Sequence, residues 1–164
     1  MIKKSFTINP NRTLEEIRSY KQLLVDGVYQ GCEIFYPYNK TEEERQIYLN
    51  GVKEYLDYTS DFVCHLPYGG ENNPASYEKL DQTMKRIKDA IIFSSNLPIK
   101  KLTLHPGYMD GTLDYNDAFN LMIKNIKELC QFASTYGMTI MLENLIGKQE
   151  FMKTKEDYFL MKKL

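Results

Sequence analysis

Short β-type runs alternate along the chain with longer runs whose apolar residues recur every three or four positions. Lys4–Ile8 predicts a strand. Thr13-Leu14-Glu15-Glu16 then opens a helix with a Ser/Thr-x-x-Glu capping box, and Leu14, Ile17 and Leu24 supply its apolar stripe. Gly31–Tyr36 predicts the second strand. Thr41-Glu42-Glu43-Glu44 repeats the capping box, with Tyr48, Val52, Tyr55 and Thr59 on one helical face behind it. Asp61–His65 predicts the third strand. Asn73-Pro74 places a cap and an N1 proline before Tyr77, Leu80, Met84, Ile87 and Ile91, which are spaced at helical intervals. Leu102–His105 predicts the fourth strand. Asp114 caps a helix striped by Phe119, Met122, Ile123, Ile126, Leu129, Cys130 and Ala133, which ends at Gly137 as its C′ residue. Met138–Glu143 predicts the fifth strand, and Phe151–Leu164 a final helix.

Five β-runs separated by helices make a βα repeat, which calls for a parallel sheet covered by helices. No linker, low-complexity tract or composition break divides the chain, so residues 1–164 read as one domain. Periodicity alone leaves two architectures open. Five βα units suit an open doubly wound sheet, whereas a closed (β/α)₈ barrel takes about 250 residues.

Composition narrows the function classes. Net charge is −1, from 21 Lys+Arg against 22 Asp+Glu, so no bulk positive field argues for nucleic acid. No apolar run approaches the roughly 18 residues of a membrane span. Met1-Ile2-Lys3-Lys4 is basic but is followed by no apolar stretch of a secretory signal. The three cysteines (Cys32, Cys64 and Cys130) are scattered without a Cys-x-x-Cys, against both a disulfide framework and a thiolate zinc site. The expectation is a cytoplasmic, reduced domain that does not enter a membrane.

The candidate chemistry lies at strand ends. The chain's 2 histidines, His65 and His105, close the third and fourth strands, and Glu143-Asn144 closes the fifth. In parallel βα architectures ligands bind at the carboxyl ends of the strands, so successive strands deliver His, His and Glu to one rim. Two imidazoles and a carboxylate suit Zn²⁺, and also Mn²⁺ or Co²⁺. Each residue has an ordinary structural reading as well: a hydrogen-bonded rim histidine, or a glutamate where the strand meets water. The coincidence of three at equivalent positions favours a metal site.

His-x-Pro-Tyr (His65–Tyr68), His-Pro-Gly (His105–Gly107) and Glu-Asn-x-x-Gly (Glu143–Gly147) follow one another on strands three, four and five. In that order they resemble the xylose isomerase-like TIM-barrel superfamily, which holds sugar-phosphate isomerases and epimerases together with endonuclease IV-type apurinic-site endonucleases. The resemblance covers the whole chain but only the first five of eight βα units. It implies a partial (β/α)₈ barrel, a parallel sheet with outer helices. It also implies that His65, His105 and Glu143 are metal ligands, that Glu143 doubles as a catalytic acid/base, and that Glu33, Tyr68 and Asn144 contact the substrate. The family's further ligands, including a second essential glutamate, belong to strands six to eight.

Three functions follow from the resemblance. The first is a metal-dependent sugar or sugar-phosphate isomerase or epimerase, working by proton removal beside a carbonyl and an enediolate. The second is phosphodiester hydrolysis at abasic DNA, against which the near-neutral charge weighs. The third is a truncated, non-catalytic barrel. Five strands of a barrel would also leave two open edges and an apolar inner face, so self-association is expected.

Overall fold

The computed structural model describes residues 4–145, 151 and 154–156. Five strands, β1 (Ser5–Ile8), β2 (Gly31–Phe35), β3 (Phe62–His65), β4 (Lys101–Leu104) and β5 (Thr139–Leu142), form one sheet in the order β1-β2-β3-β4-β5. Every neighbouring pair is parallel. The connections carry α1 (Leu14–Ser19), α2 (Lys21–Val25), α3 (Glu42–Lys53), a 3₁₀ turn (Glu54–Asp57), α4 (Leu80–Ser94) and α5 (Tyr115–Ser134). Parallel crossovers are right-handed, so a strand order that only ever advances keeps the helices on one face of the sheet. A doubly wound sheet reverses its order at a switch point, and this one does not. The fold is therefore a five-unit segment of a (β/α)₈ barrel.

The core lies between the sheet and its helices. Ile8, Cys32, Ile34, Cys64, Leu102 and Leu104 point into it from the strands. Ile17, Val52, Ile87, Ile91, Met122 and Leu129 meet them from the helices. Both capping boxes form: Thr13 with Glu16, and Thr41 with Glu44. Asp114 accepts from the Asp117 amide at the head of α5, and Gly137 is left-handed (φ 67°), two residues past the Thr135 C-cap and so one beyond the C′ position expected for it.

Three expectations need correction. Asn73-Pro74 does not cap a helix: α4 begins at Leu80 behind Lys79, and Tyr77, outside the helix, is exposed. The Asn73 amide is instead engaged with the next βα loop, which outcompetes helix capping. Thr59 is also outside a helix, because the 3₁₀ turn ends α3 and the Thr59 hydroxyl bonds the Gln30 carbonyl. The inner face of the sheet is not an apolar one. The side chains alternating away from the core include Ser5, Thr7, Glu33, Lys101, Thr103 and Thr139, beside Phe35, Val63 and Met141. The helix expected over Phe151–Leu164 lies mostly outside the described residues.

Candidate metal centre

Strand register assembles the centre. His65 ends β3 opposite Phe35 of β2, on the inner face by the same alternation that buries Cys64 in the core. His105 follows β4 directly, and Glu143 follows β5, where its amide prolongs the ladder to the Leu104 carbonyl at 3.0 Å. One donor atom from each of His65, His105 and Glu143 lies within 4.8 Å of the others. Glu143 Oε2 is 3.4 Å from His65 Nε2 and 3.1 Å from His105 Nε2.

The tautomer of His65 makes this geometry informative. Its Nδ1 lies 2.9 Å from the Leu66 carbonyl, which can only accept, so Nδ1 carries the proton. With Nδ1 so occupied, Nε2 is the nitrogen left facing the Glu143 carboxylate. A ring N–H given to a backbone carbonyl is the usual partner of a metal-ligating histidine. Metal–ligand bonds of about 2.0–2.1 Å around a tetrahedral ion put donor atoms about 3.3 Å apart, close to both His–Glu separations. Burial, the largest influence, holds His105 below the ordinary histidine value against the pull of Glu143. A lowered value keeps its imidazole neutral and its lone pair available at neutral pH. The residues present fit a divalent transition metal.

Aromatic rings enclose the histidines. Phe35 stacks on His65 at a centroid distance of 5.1 Å. Tyr68 leans over both imidazoles, 4.5 Å from His65 and 4.4 Å from His105, while its own side remains open to solvent. A cavity of about 360 Å³ runs from this edge between the loops after β1, β2 and β3, lined by Asn9, Asn11, Phe35, Tyr38, Asn39, His65 and Tyr68 among others.

The sequence-based candidates divide into two sets. His65, His105, Glu143 and Tyr68 come together at the rim. Glu33 does not join them: it sits mid-strand in β2, two residues below Phe35, and accepts from the Thr7 hydroxyl at 3.2 Å. Two residues of strand place it about 7 Å lower on the inner face. Asn144 lies beyond Glu143 and is exposed. Sequence reasoning missed Phe35, which the inner-face alternation through Glu33 could have found, and Asn73, which the reading as a helix cap concealed.

A family model described as the xylose isomerase-like TIM barrel matches residues 25–158. The chain belongs to that family. Over 111 residues it is 29% identical to the "probable endonuclease 4" of Mycoplasmopsis pulmonis, an alignment covering 66% of this chain and 39% of the relative. Among solved structures it is similar to a D-tagatose 3-epimerase-like protein (TM-score 0.74, 22% identity), with 98% of this chain and 60% of that one covered. It is similar also to an AP endonuclease, family 2, from Brucella melitensis (TM-score 0.72, 18% identity), with 99% and 64% covered. These structural likenesses establish the barrel fold. The chain spans about 40% of the length of the curated relatives it matches. The proteins it is similar to thus carry names of two kinds, endonuclease and epimerase-like.

Proposed function

We propose that the barrel to which this chain belongs is a metal-dependent sugar or sugar-phosphate isomerase or epimerase, with the ion held by His65, His105 and Glu143. The observation that carries the reading is the convergence of both Nε2 atoms on one Glu143 oxygen at a strand-end rim. A bound Zn²⁺, Mn²⁺ or Co²⁺ would supply a Lewis acid for the negative charge that develops on a carbonyl oxygen. With Oε2 directed at the imidazoles, the second oxygen of Glu143 is left to take a proton from the carbon beside that carbonyl. Tyr68 and Phe35 would offer ring faces to the apolar side of a sugar. Asn9, Asn11, Asn39 and Asn144 would offer amides to its hydroxyls, with Glu33 a further contact lower on the inner face. The second glutamate implied by the family resemblance belongs to strands beyond the five described.

The likeness to an endonuclease supports a second reading, hydrolysis at abasic DNA. The charge balance of −1 weighs against it, because phosphate contacts require Lys and Arg. Elemental analysis of purified wild type and of His105→Ala tests the shared premise. Stoichiometric divalent metal is expected in the first and at least a tenfold lower content in the second, and equal contents would remove the site. Incubation with free ketoses, ketose phosphates and an abasic duplex, with Mn²⁺ added, then separates the two chemistries. Exchange of a carbon-bound proton on a sugar is expected; nicking of the duplex that disappears in Glu143→Gln would reverse the order.

A further inference from the structure

Asn73 stands in the loop after β3, yet its side chain is committed to the loop after β4. Nδ2 donates to the Tyr108 carbonyl at 2.9 Å, and Oδ1 accepts from the Tyr108 amide at 3.1 Å. The same Oδ1 accepts from the Ala75 amide at 3.1 Å, and the residue is only 4% exposed. Bonding both the N–H and the C=O of one residue gives Tyr108 what a neighbouring strand would give it.

The loop after β4 is shaped to receive this bracket. Gly107 has φ +114°, and a Cβ built on it would stand 2.7 Å from Asn73 Oδ1 and 3.1 Å from Ala75 Cβ. Only glycine combines that backbone with so close an approach. The Gly107 carbonyl accepts from the amide of Phe151, a buried residue beyond β5. Asn125 of α5, itself buried, supports the other side by donating to the Pro74 carbonyl at 2.8 Å.

We infer that Asn73 is a positioning residue that sets the spacing of His65 and His105, by fastening the loop that follows the first to the loop that follows the second. It acts through the Tyr108 backbone, three residues beyond His105, and not through either imidazole. The inference rests on the metal reading above. Groups outside the ligand set that orient ligands typically alter metal affinity by about 10–100-fold.

The test compares Asn73→Ala and Asn73→Asp with Tyr55→Phe in the full chain. Asn73→Asp keeps an acceptor for the two amides and loses the donation to Tyr108. Tyr55→Phe removes a buried hydroxyl that bonds the Ile17 carbonyl, away from the rim. Calorimetric titration with Mn²⁺ should show affinity about tenfold or more weaker in Asn73→Ala, an intermediate loss in Asn73→Asp, and no change in Tyr55→Phe. In metal-free protein with ¹⁵N-labelled histidine, the His105 ring resonances should shift or broaden in Asn73→Ala and stay in place in Tyr55→Phe. Unchanged His105 resonances, or an unchanged Mn²⁺ affinity, overturn the role of Asn73. Should Asn73→Ala not fold, Asn73→Asp decides on the same readouts. Wild type that takes up no divalent metal would overturn the proposed function, and the metal-free resonances would still decide on Asn73.

Discussion

Two histidines and a glutamate acquire meaning from what each is denied. His65 is only 7% exposed and donates its Nδ1–H to the Leu66 carbonyl, which leaves Nε2 as the nitrogen facing Glu143. The same scale separates the cysteines. Burial pushes the Cys32 and Cys64 thiols up to about 12, and both are enclosed in the core, whereas Cys130 is exposed on α5. The thiolate is the reactive species, so buried thiols with raised values are inert. In a chromogenic disulfide-reagent assay at pH 8, one thiol per chain should react promptly in the native protein and all three after denaturation. Prompt reaction of two or three native thiols would contradict the packing around Cys32 and Cys64.

At the scale of elements, short helices need fastening at their ends. α1 spans 6 residues and packs on α3, and Glu54, just past α3, accepts from Arg18 at 2.8 Å and from Lys21. These two cations hold the Glu54 carboxyl at about 2, below its ordinary 4.5. A depressed value means the unfolded chain binds the proton more readily. The stabilisation is therefore full above about pH 4.5 and is lost as pH falls toward 2. Thermal unfolding followed across pH 6 to 2 should show wild type and Glu54→Gln converging in midpoint at the acid end, with wild type higher at pH 6. Parallel profiles would mean that the pair contributes nothing, the common outcome for exposed ion pairs.

At the scale of the whole molecule, the sheet ends at β1 and β5, and neither outer edge is paired among the described residues. Open edges present backbone donors and acceptors to any other strand. The inner face adds less drive than an apolar surface would, since threonines, Ser5, Glu33 and Lys101 occupy much of it. Association is accordingly expected through the edges, and to depend on concentration. Light scattering after gel filtration should give a mass above 19.3 kDa that falls on dilution. A monomer unchanged at high micromolar concentration would show that the edges are protected by the chain itself.

Much of this was written locally. Alternating apolar runs, two Ser/Thr-x-x-Glu boxes, Asp114 and Gly137 mark strands and helix ends through contacts spanning a few residues, and the strands form within a residue or so of where the pattern puts them. His65, His105 and Glu143 were legible for the same reason, since each closes an apolar run. What local pattern cannot carry is competition between distant partners. Asn73 reads as a helix cap until Tyr108, 35 residues away, claims its amide. Glu33 lies near the end of its strand in the sequence, and only register sets it two residues below Phe35, which pairs with His65. The single-faced advance of β1 to β5, which separates a barrel segment from a doubly wound sheet, is likewise a property of pairing order. Sequence periodicity determines which residues face together; only the tertiary structure decides which faces meet, because each buried polar group takes the best partner the assembled fold brings within reach.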